Sequence, residues 1–446
     1  MDKEIIMFNM SSYSEWQEGV VNRNFHIFNY FIENQDIKRV IAVDFLPFTF
    51  KRAIRNYREN IIRKSKIPAY RTGRKNQKSL PTGQAGKITN IYRDLTTKCV
   101  RVDRDGTELY IFSTIDSVFS SKLVVKKLNK VLKIINHQSS IINHQSLSAE
   151  ALAKEETIRV VYSCFPMFVD YFSNLRSDLT IFDAIDNWIE HPSFTKYKSV
   201  LKKNYKIISE KSDLIFTVSE GLKEFFEKQG RTKNVYWIPN GVDINHFTPR
   251  TLGSDPGVGV MDNVLRPIVG YLGTIQHRFD VELLEHLAEN NPKKSFVLAG
   301  PIWQSEVKER LRKYKNIYLT GRIPYSQSSD YINSFDVAII PHKLDKFVKS
   351  TYSLKLLEYL SCGKPVVTTP TPDTENFKNV IYQAVGYEEF NQKINLALKE
   401  DSLSLAKQRT ERVKQEAWEI KIGEMMEKIL NKIRSTKSEI RNNIKI

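Results

Sequence analysis

The sequence is poor in cysteine and has no long apolar run, and each absence excludes a class of protein. Cys99, Cys164 and Cys362 are the only cysteines in 446 residues. An odd number so widely spaced excludes a disulfide framework and any Cys-x-x-Cys metal site, leaving buried free thiols as the default. No stretch reaches the ~18 uninterrupted apolar residues of a membrane-spanning helix. Met1 to Trp16 shows no basic region followed by an apolar run and a small-residue cleavage site, so no secretory leader is expected and the chain is expected in the cytosol. A convincing Asp-x-Asp motif and histidines at metal-ligand spacing are also missing, so no metal site and no bound cofactor are expected.

Acidic residues are in short supply: 51 Asp and Glu face 68 Lys and Arg, a formal net charge of +17. Such an excess calls for a polyanionic neighbour, and nucleic acid, an anionic membrane and a sugar diphosphate all qualify. Nucleic acid is not expected, because no helix-turn-helix, zinc or RNA-recognition signature is present. The cations crowd one stretch, from Lys51, Arg52, Arg55 and Arg58 through Arg63, Lys64, Lys66, Arg71, Arg74 and Lys75 to Lys78, with Glu59 its single acid and Tyr57 and Tyr70 interleaved. This reads either as a basic, partly amphipathic arm suited to the inner leaflet, giving a peripheral membrane protein, or as a solvated loop.

What is present is a soluble α/β composition, 41% hydrophobic and 11% aromatic. Glu4 to Phe8, a helix over Val20 to Ile32 and Val40 to Val43 open a doubly wound sheet. Further strands are expected within Ile88 to Ile115, with a turn at Asp105-Gly106, and at Ile158 to Ser163, Leu179 to Asp183, Asp213 to Val218 and Val235 to Ile238. In such sheets ligands gather at the C-terminal strand ends. Trp16, in the loop after the first strand, and Asn22, Arg23 and His26, just beyond it, therefore face the expected cleft; a surface role on the first helix is the alternative for the last three. Asp183 and Asp186 stand at the end of a parallel strand, where working carboxylates belong; a cap or turn is the alternative for Asp186. Ile134 to Ser139 is repeated as Ile141 to Ser146, and two copies are too few for a solenoid, so this is a local duplication.

Arg250 to Arg266 is Gly-rich and aperiodic, the best linker in the chain. It divides residues 1–249, with a basic insertion at about 51–104, from a second alternation over 267–405; residues 406–446 are a C-terminal helix with a frayed tail from Arg434. In the second alternation the strands end in glycine or proline, at Gly273, Gly300-Pro301, Gly321-Arg322 and Pro341-His342. Gly270-x-x-Gly273 lacks the third glycine of the dinucleotide fingerprint. Ser350 to Pro370, STYSLKLLEYLSCGKPVVTTP, is the pivotal stretch: a short helix, a Cys362-Gly363 stop and a buried strand. Ser350, Thr351, Tyr352 and Ser353 would form the helix's first turn, whose free N–H groups welcome a phosphate. Lys355 and Glu358, three residues apart on one face, could meet a diphosphate and ribose hydroxyls; a plain surface pair is the alternative.

The Thr217 to Leu222 stretch, the run Ile238-Pro239-Asn240-Gly241-Val242-Asp243 with Phe247-Thr248-Pro249, and the two halves around a Gly-rich linker together resemble glycosyltransferases of the GT-B fold. The likeness is to the family 4, or group 1, type that builds bacterial cell-surface polysaccharides, including teichuronic-acid-type transferases. The resemblance implies an α/β protein with two Rossmann-like domains facing each other across a cleft. It implies a metal-independent, retaining transfer from a UDP- or GDP-sugar, bound by the second domain, to a glycan or lipid-linked glycan on the first. Glu358 matches the second acid of the family's Glu-x7-Glu motif, Ser350 stands where its first acid would be, and Tyr352, Ser353 and Leu354 occupy the donor phosphate and sugar positions. Gly273 and Thr274 resemble the loop under the diphosphate, Lys355 or Arg278 its counter-charge, and Arg322 follows the strand that frames the base. Asp183 or Asp186 would be the acceptor-side group. Ser350 in place of an acid also allows a catalytically silent GT-B protein acting as a partner subunit.

Overall fold

The computed structural model describes residues 2–17, 19–62, 88–103, 106–144, 157–250, 261 and 263–444, without the side chains of 17, 138–144, 172–173 and 437–444. Most of the basic arm, most of the Gly-rich linker, Asp105 of the expected turn and the second copy of the repeat from residue 145 lie outside the described residues.

Two sheets carry the chain. The first holds β1 (Lys3–Phe8), β2 (Ile37–Val43), β3 (Ile88–Arg93), β4 (Thr97–Val102), β5 (Glu108–Thr114), β6 (Ile158–Ser163), β7 (Leu179–Ala184), β8 (Leu214–Thr217) and β9 (Val235–Trp237). Their order is β3-β4-β5-β2-β1-β6-β7-β8-β9. β2, β1, β6, β7, β8 and β9 run parallel, while β4 is antiparallel to both neighbours, making a hairpin edge. The centre strand β1 is an apolar run because both of its faces are covered: Ile5, Ile6, Met7 and Phe8 are all buried.

The second sheet holds β10 (Ile268–Leu272), β11 (Ser295–Ala299), β12 (Ile317–Gly321), β13 (Val337–Ile340), β14 (Val366–Thr368) and β15 (Tyr382–Gln383). Its order is β12-β11-β10-β13-β14-β15, all parallel. The order reverses beside β10 and β13, so a crevice opens at their C-terminal ends, where Gly273 and His342 lie.

The last helix returns to the first sheet. Trp418, Ile422, Met425, Met426, Ile429 and Ile433, spaced as one helical stripe on Trp418–Ile444, share a core with Ile27, Phe28 and Phe31 of the helix Arg23–Glu33. This helix runs on through Ile444, where a frayed tail from Arg434 was expected. The chain crosses over at Val242, whose N–H donates to Glu416 O at 2.8 Å and whose carbonyl accepts from Trp418 N at 3.1 Å. Gly241 is required there, since a Cβ would sit 2.8 Å from the Trp418 ring.

Candidate functional site

The site is built around the helix Leu354–Ser361. Leu356, Leu357 and Leu360 bury its apolar face, and the Tyr359 hydroxyl ties it to β10, accepting from Leu272 N at 2.7 Å and lying 3.3 Å from Leu272 O. That clamp sets the helix against the turn after β10. Gly273 has φ +143°, and a Cβ there would overlap Lys355 Cε, so glycine lets the Lys355 side chain cross the turn.

The helix begins at Leu354, later than expected. Val348–Ser350 is a 3₁₀ turn, and Ser353 is the extended residue before the helix. The cause is local: the Ser350 and Thr351 hydroxyls donate back to Phe347 O and Val348 O at 2.8 and 2.9 Å, and Asp373 Oδ2 takes the Ser353 N–H at 2.9 Å. Ser350 and Tyr352 instead join the two sheets, their carbonyls accepting from Ser219 Oγ at 2.9 Å and Asn240 Nδ2 at 3.0 Å. Ser353 Oγ is buried with no hydrogen-bond partner among the described residues.

Lys355 and Glu358 are half-buried on one face of this helix; neither forms an ion pair or hydrogen bond among the described residues, and Lys355 Nζ lies 5.6 Å from the centre of the Tyr271 ring. Burial, with Arg278 adding to it, lowers the Lys355 pKa, and burial raises that of Glu358. A cation and a carboxylate held half-buried with no ion pair or hydrogen bond are an expensive arrangement, of the kind that accumulates where a ligand will supply the missing contacts. Tyr325, whose hydroxyl is buried and unpartnered, lies within the field of Glu358.

The turn after β10 brings further groups. Arg278 is steadied by Gln276, whose amide oxygen accepts from its Nε and Nη2 at 3.2 and 3.1 Å. Asp186, at the end of β7 on the other sheet, is pushed up to about 6 by desolvation, with Arg278 pulling the opposite way. The Arg278 charge thus reaches Asp186 from the other sheet. His191 stacks edge-on against Phe347 and His277 at 4.7 and 5.1 Å, so three aromatic groups close the same side. His342, at the end of β13, is buried with an unpartnered Nε2, and burial next to Arg278 and Lys355 drives its pKa well below the usual value. These imidazoles are neutral donors or acceptors, in keeping with so many cations nearby.

Other expected residues go elsewhere. Asp183 is fully buried, its Oδ2 accepting from Arg23 Nε at 2.7 Å and Tyr162 Oη at 2.5 Å. Arg23 also donates to Pro239 O at 3.0 Å. This pair pins the first sheet to the crossover strand and does not open to the cleft. Trp16 lies in the core against Phe25 and Phe28, and Asn22 caps the helix by accepting from Phe25 N at 3.1 Å. His26 stacks on Trp418 at 4.7 Å, and burial pushes its pKa down to about 3. Thr274 is half-buried beside Gly273, its carbonyl accepting from Tyr271 Oη at 3.1 Å, while Arg322 is exposed beyond β12, two strands from β10.

His191, His277, His342, Tyr325 and Asp373 were not singled out as site residues by sequence reasoning. Pro341-His342 at a strand end was a usable signal for His342. The others are set by contacts distant in sequence and leave none.

Two parallel, Rossmann-like sheets facing across a cleft, with the last helix returning to the first, define the GT-B class. Comparison with known proteins agrees. Residues 266–400, the second sheet with its helices, match the family described as glycosyl transferases group 1. The chain is 26% identical over 233 residues to TuaH of Bacillus subtilis (strain 168), a protein assigned by name to teichuronic acid biosynthesis as a glycosyltransferase. That match covers 50% of this chain and 58% of the relative, little more than half its length. Among solved structures, Anabaena HepE in complex with UDP-glucose is similar at a TM-score of 0.59 and 12% identity, over 96% of this chain and 99% of HepE. Sucrose-phosphate synthase of Thermosynechococcus elongatus is similar at 0.60 and 12%, over 96% and 99%. A TarM variant of S. aureus, solved with UDP, is similar at 0.56 and 12%, over 97% and 100%.

Proposed function

We propose that the protein is a glycosyltransferase that moves a sugar from a nucleotide-sugar donor to a glycan or lipid-linked glycan during bacterial surface polysaccharide synthesis. This reading is carried by Lys355 and Glu358 on the Leu354–Ser361 helix, half-buried without an ion pair or hydrogen bond among the described residues, with Lys355 crossing Gly273. In this reading Glu358 accepts from the ribose hydroxyls. Lys355 and Arg278, with the backbone at Gly273 and Thr274, neutralise the diphosphate. UDP-sugars are the donors to try first, since HepE and TarM were solved with UDP or a UDP-sugar.

The C1–O bond to the diphosphate breaks as the acceptor oxygen bonds to C1 from the same face, which retains the anomeric configuration. Negative charge then develops on the leaving group, where two fixed cations stabilise it without a metal. Asp186 receives the acceptor hydroxyl's proton; Asp183, enclosed with Arg23, has no part in the step. Retention of configuration belongs to the reading by family resemblance, with Ser350 in the place of the first acid. The test is turnover: purified protein with UDP-sugars and a lipid extract as acceptor source should release UDP only when both are present, and proton NMR of the product should show the donor's anomeric form. UDP binding without turnover under any acceptor would favour the partner-subunit reading that Ser350 suggests.

A further inference from the structure

One edge of the first sheet exposes apolar side chains that the proposed chemistry does not use. Phe50, Ile54 and Ile62 are 63%, 56% and 54% exposed on the helical segment after β2, Phe119 is 61% exposed after β5, and Leu95 is 84% exposed in the β3–β4 turn. The strand directions place all three elements at the C-terminal end of β2 and β5, and contacts draw them together. The Phe50 and Phe119 rings meet edge to face at 5.8 Å, and Arg93, beside Leu95, donates to Ile61 O at 3.4 Å. The Leu95 turn is held firmly: Asp94 accepts from Thr96 N and Thr97 N at 2.9 and 2.8 Å and pairs with Lys127 at 2.8 Å. Leu95 is thus presented outward by a fixed turn.

Cations surround these tips. Lys51, Arg55 and Arg58 are exposed on the same segment as Phe50, and Lys122 and Lys126 are exposed on successive turns of the helix that starts beside Phe119. Of the nearby acids, Glu59 is paired with Arg55 at 3.1 Å and Asp94 with Lys127.

We propose that this edge is a docking surface for an anionic lipid bilayer, with Phe50, Ile54, Ile62, Leu95 and Phe119 entering the headgroup region and the surrounding cations meeting the lipid phosphates. Separate apolar tips ringed by cations match a surface that is anionic outside and hydrocarbon beneath. An acidic protein face would answer the charge but not the five apolar tips. Nucleic acid would need rings free to stack on bases, and Phe50 and Phe119 are engaged with each other. The segment is tied to the short helix Tyr13–Gln17 after β1, where Ser14 Oγ donates to Asn60 Oδ1 at 3.2 Å. The surface itself stands without the transfer reaction, and its test uses no turnover.

The test is co-sedimentation of the full chain with vesicles of phosphatidylcholine alone and of an equimolar mixture with phosphatidylglycerol, for wild type, Phe50→Ser/Phe119→Ser and Lys51→Glu/Lys122→Glu. All four positions are exposed, so the fold should survive, which circular dichroism checks. The expected result is binding to the anionic vesicles only. The lysine variant should weaken it by at least about twenty-fold, from roughly fivefold per cation lost, and the phenylalanine variant by about tenfold or more. Failure of the wild type to sediment, equal binding to neutral vesicles, or wild-type binding by either variant would overturn the proposal.

Discussion

At the scale of single residues, the sheet-end carboxylates divide by environment. Asp183 and Arg23 form a buried pair with Tyr162 as third member. Removing one partner leaves an uncompensated buried charge, so Arg23→Met should cost about 3–5 kcal/mol in chemical denaturation, and Arg23→Met/Asp183→Asn should recover much of it. Equal stability of the two variants would show that the pair is not coupled. Asp186 behaves otherwise. Its folded pKa of about 6 lies above the ordinary carboxylate value because burial penalises its charged form. The stability it lends is therefore complete at low pH and is lost as pH rises through about 6, while its ability to take a proton appears over the same interval. Acceptor kcat/KM should fall roughly tenfold per pH unit below about 6, and Asp186→Asn should give a low, flat profile; an unchanged profile in that variant would remove Asp186 from the proton transfer. Both acids were legible in the sequence as residues at a parallel strand end. Which of them faces the cleft was not, because Arg23 is 160 positions from Asp183. Trp16, Asn22 and His26 were misplaced for the same reason: a polar or aromatic residue near a strand end looks alike whether it faces a ligand, a cap or a core.

Among the elements, most strands of both sheets could be read from apolar runs ending in glycine or proline, since strands buried on both faces admit little else. The start of the Leu354–Ser361 helix could not. Ser350 and Thr351 are reasonable first-turn residues by composition, yet their hydroxyls satisfy Phe347 O and Val348 O, and Asp373, 20 positions on from Ser353, takes the Ser353 N–H. The helix Trp418–Ile444 shows an apolar stripe in sequence, but nothing in that stripe says which sheet it covers. Trp418 is its anchor, packed on Gly241 and stacked on His26. Trp418→Ala should destabilise the protein by about 3–5 kcal/mol, read as a lowered midpoint in urea. It should do so without changing donor affinity below the transition, because the donor helix is tied to β10 by Tyr359. A parallel loss of donor affinity would mean that the returning helix also sets the geometry of the cleft.

For the whole molecule, the proposed function rests on two sheets brought face to face, with Lys355, Glu358 and Arg278 on one side and Asp186 on the other. The division into two α/β halves was visible in the sequence from the two alternations and the aperiodic Arg250 to Arg266 stretch; the gathering of His191 and His277 beside His342 was not, because folding alone brings them together. The central claim is that the Leu354–Ser361 helix is the donor site. The most direct test is thermal shift of the purified protein against UDP-, GDP-, dTDP-, ADP- and CMP-sugars, for wild type and Glu358→Ala. Losing the ribose contacts should weaken binding by about 1.5–3 kcal/mol, since hydrogen bonds to a charged group are the stronger kind. One nucleotide class should therefore raise the wild-type Tm at concentrations where the variant hardly responds. Equal shifts in wild type and variant, or no shift with any nucleotide sugar, would contradict the account.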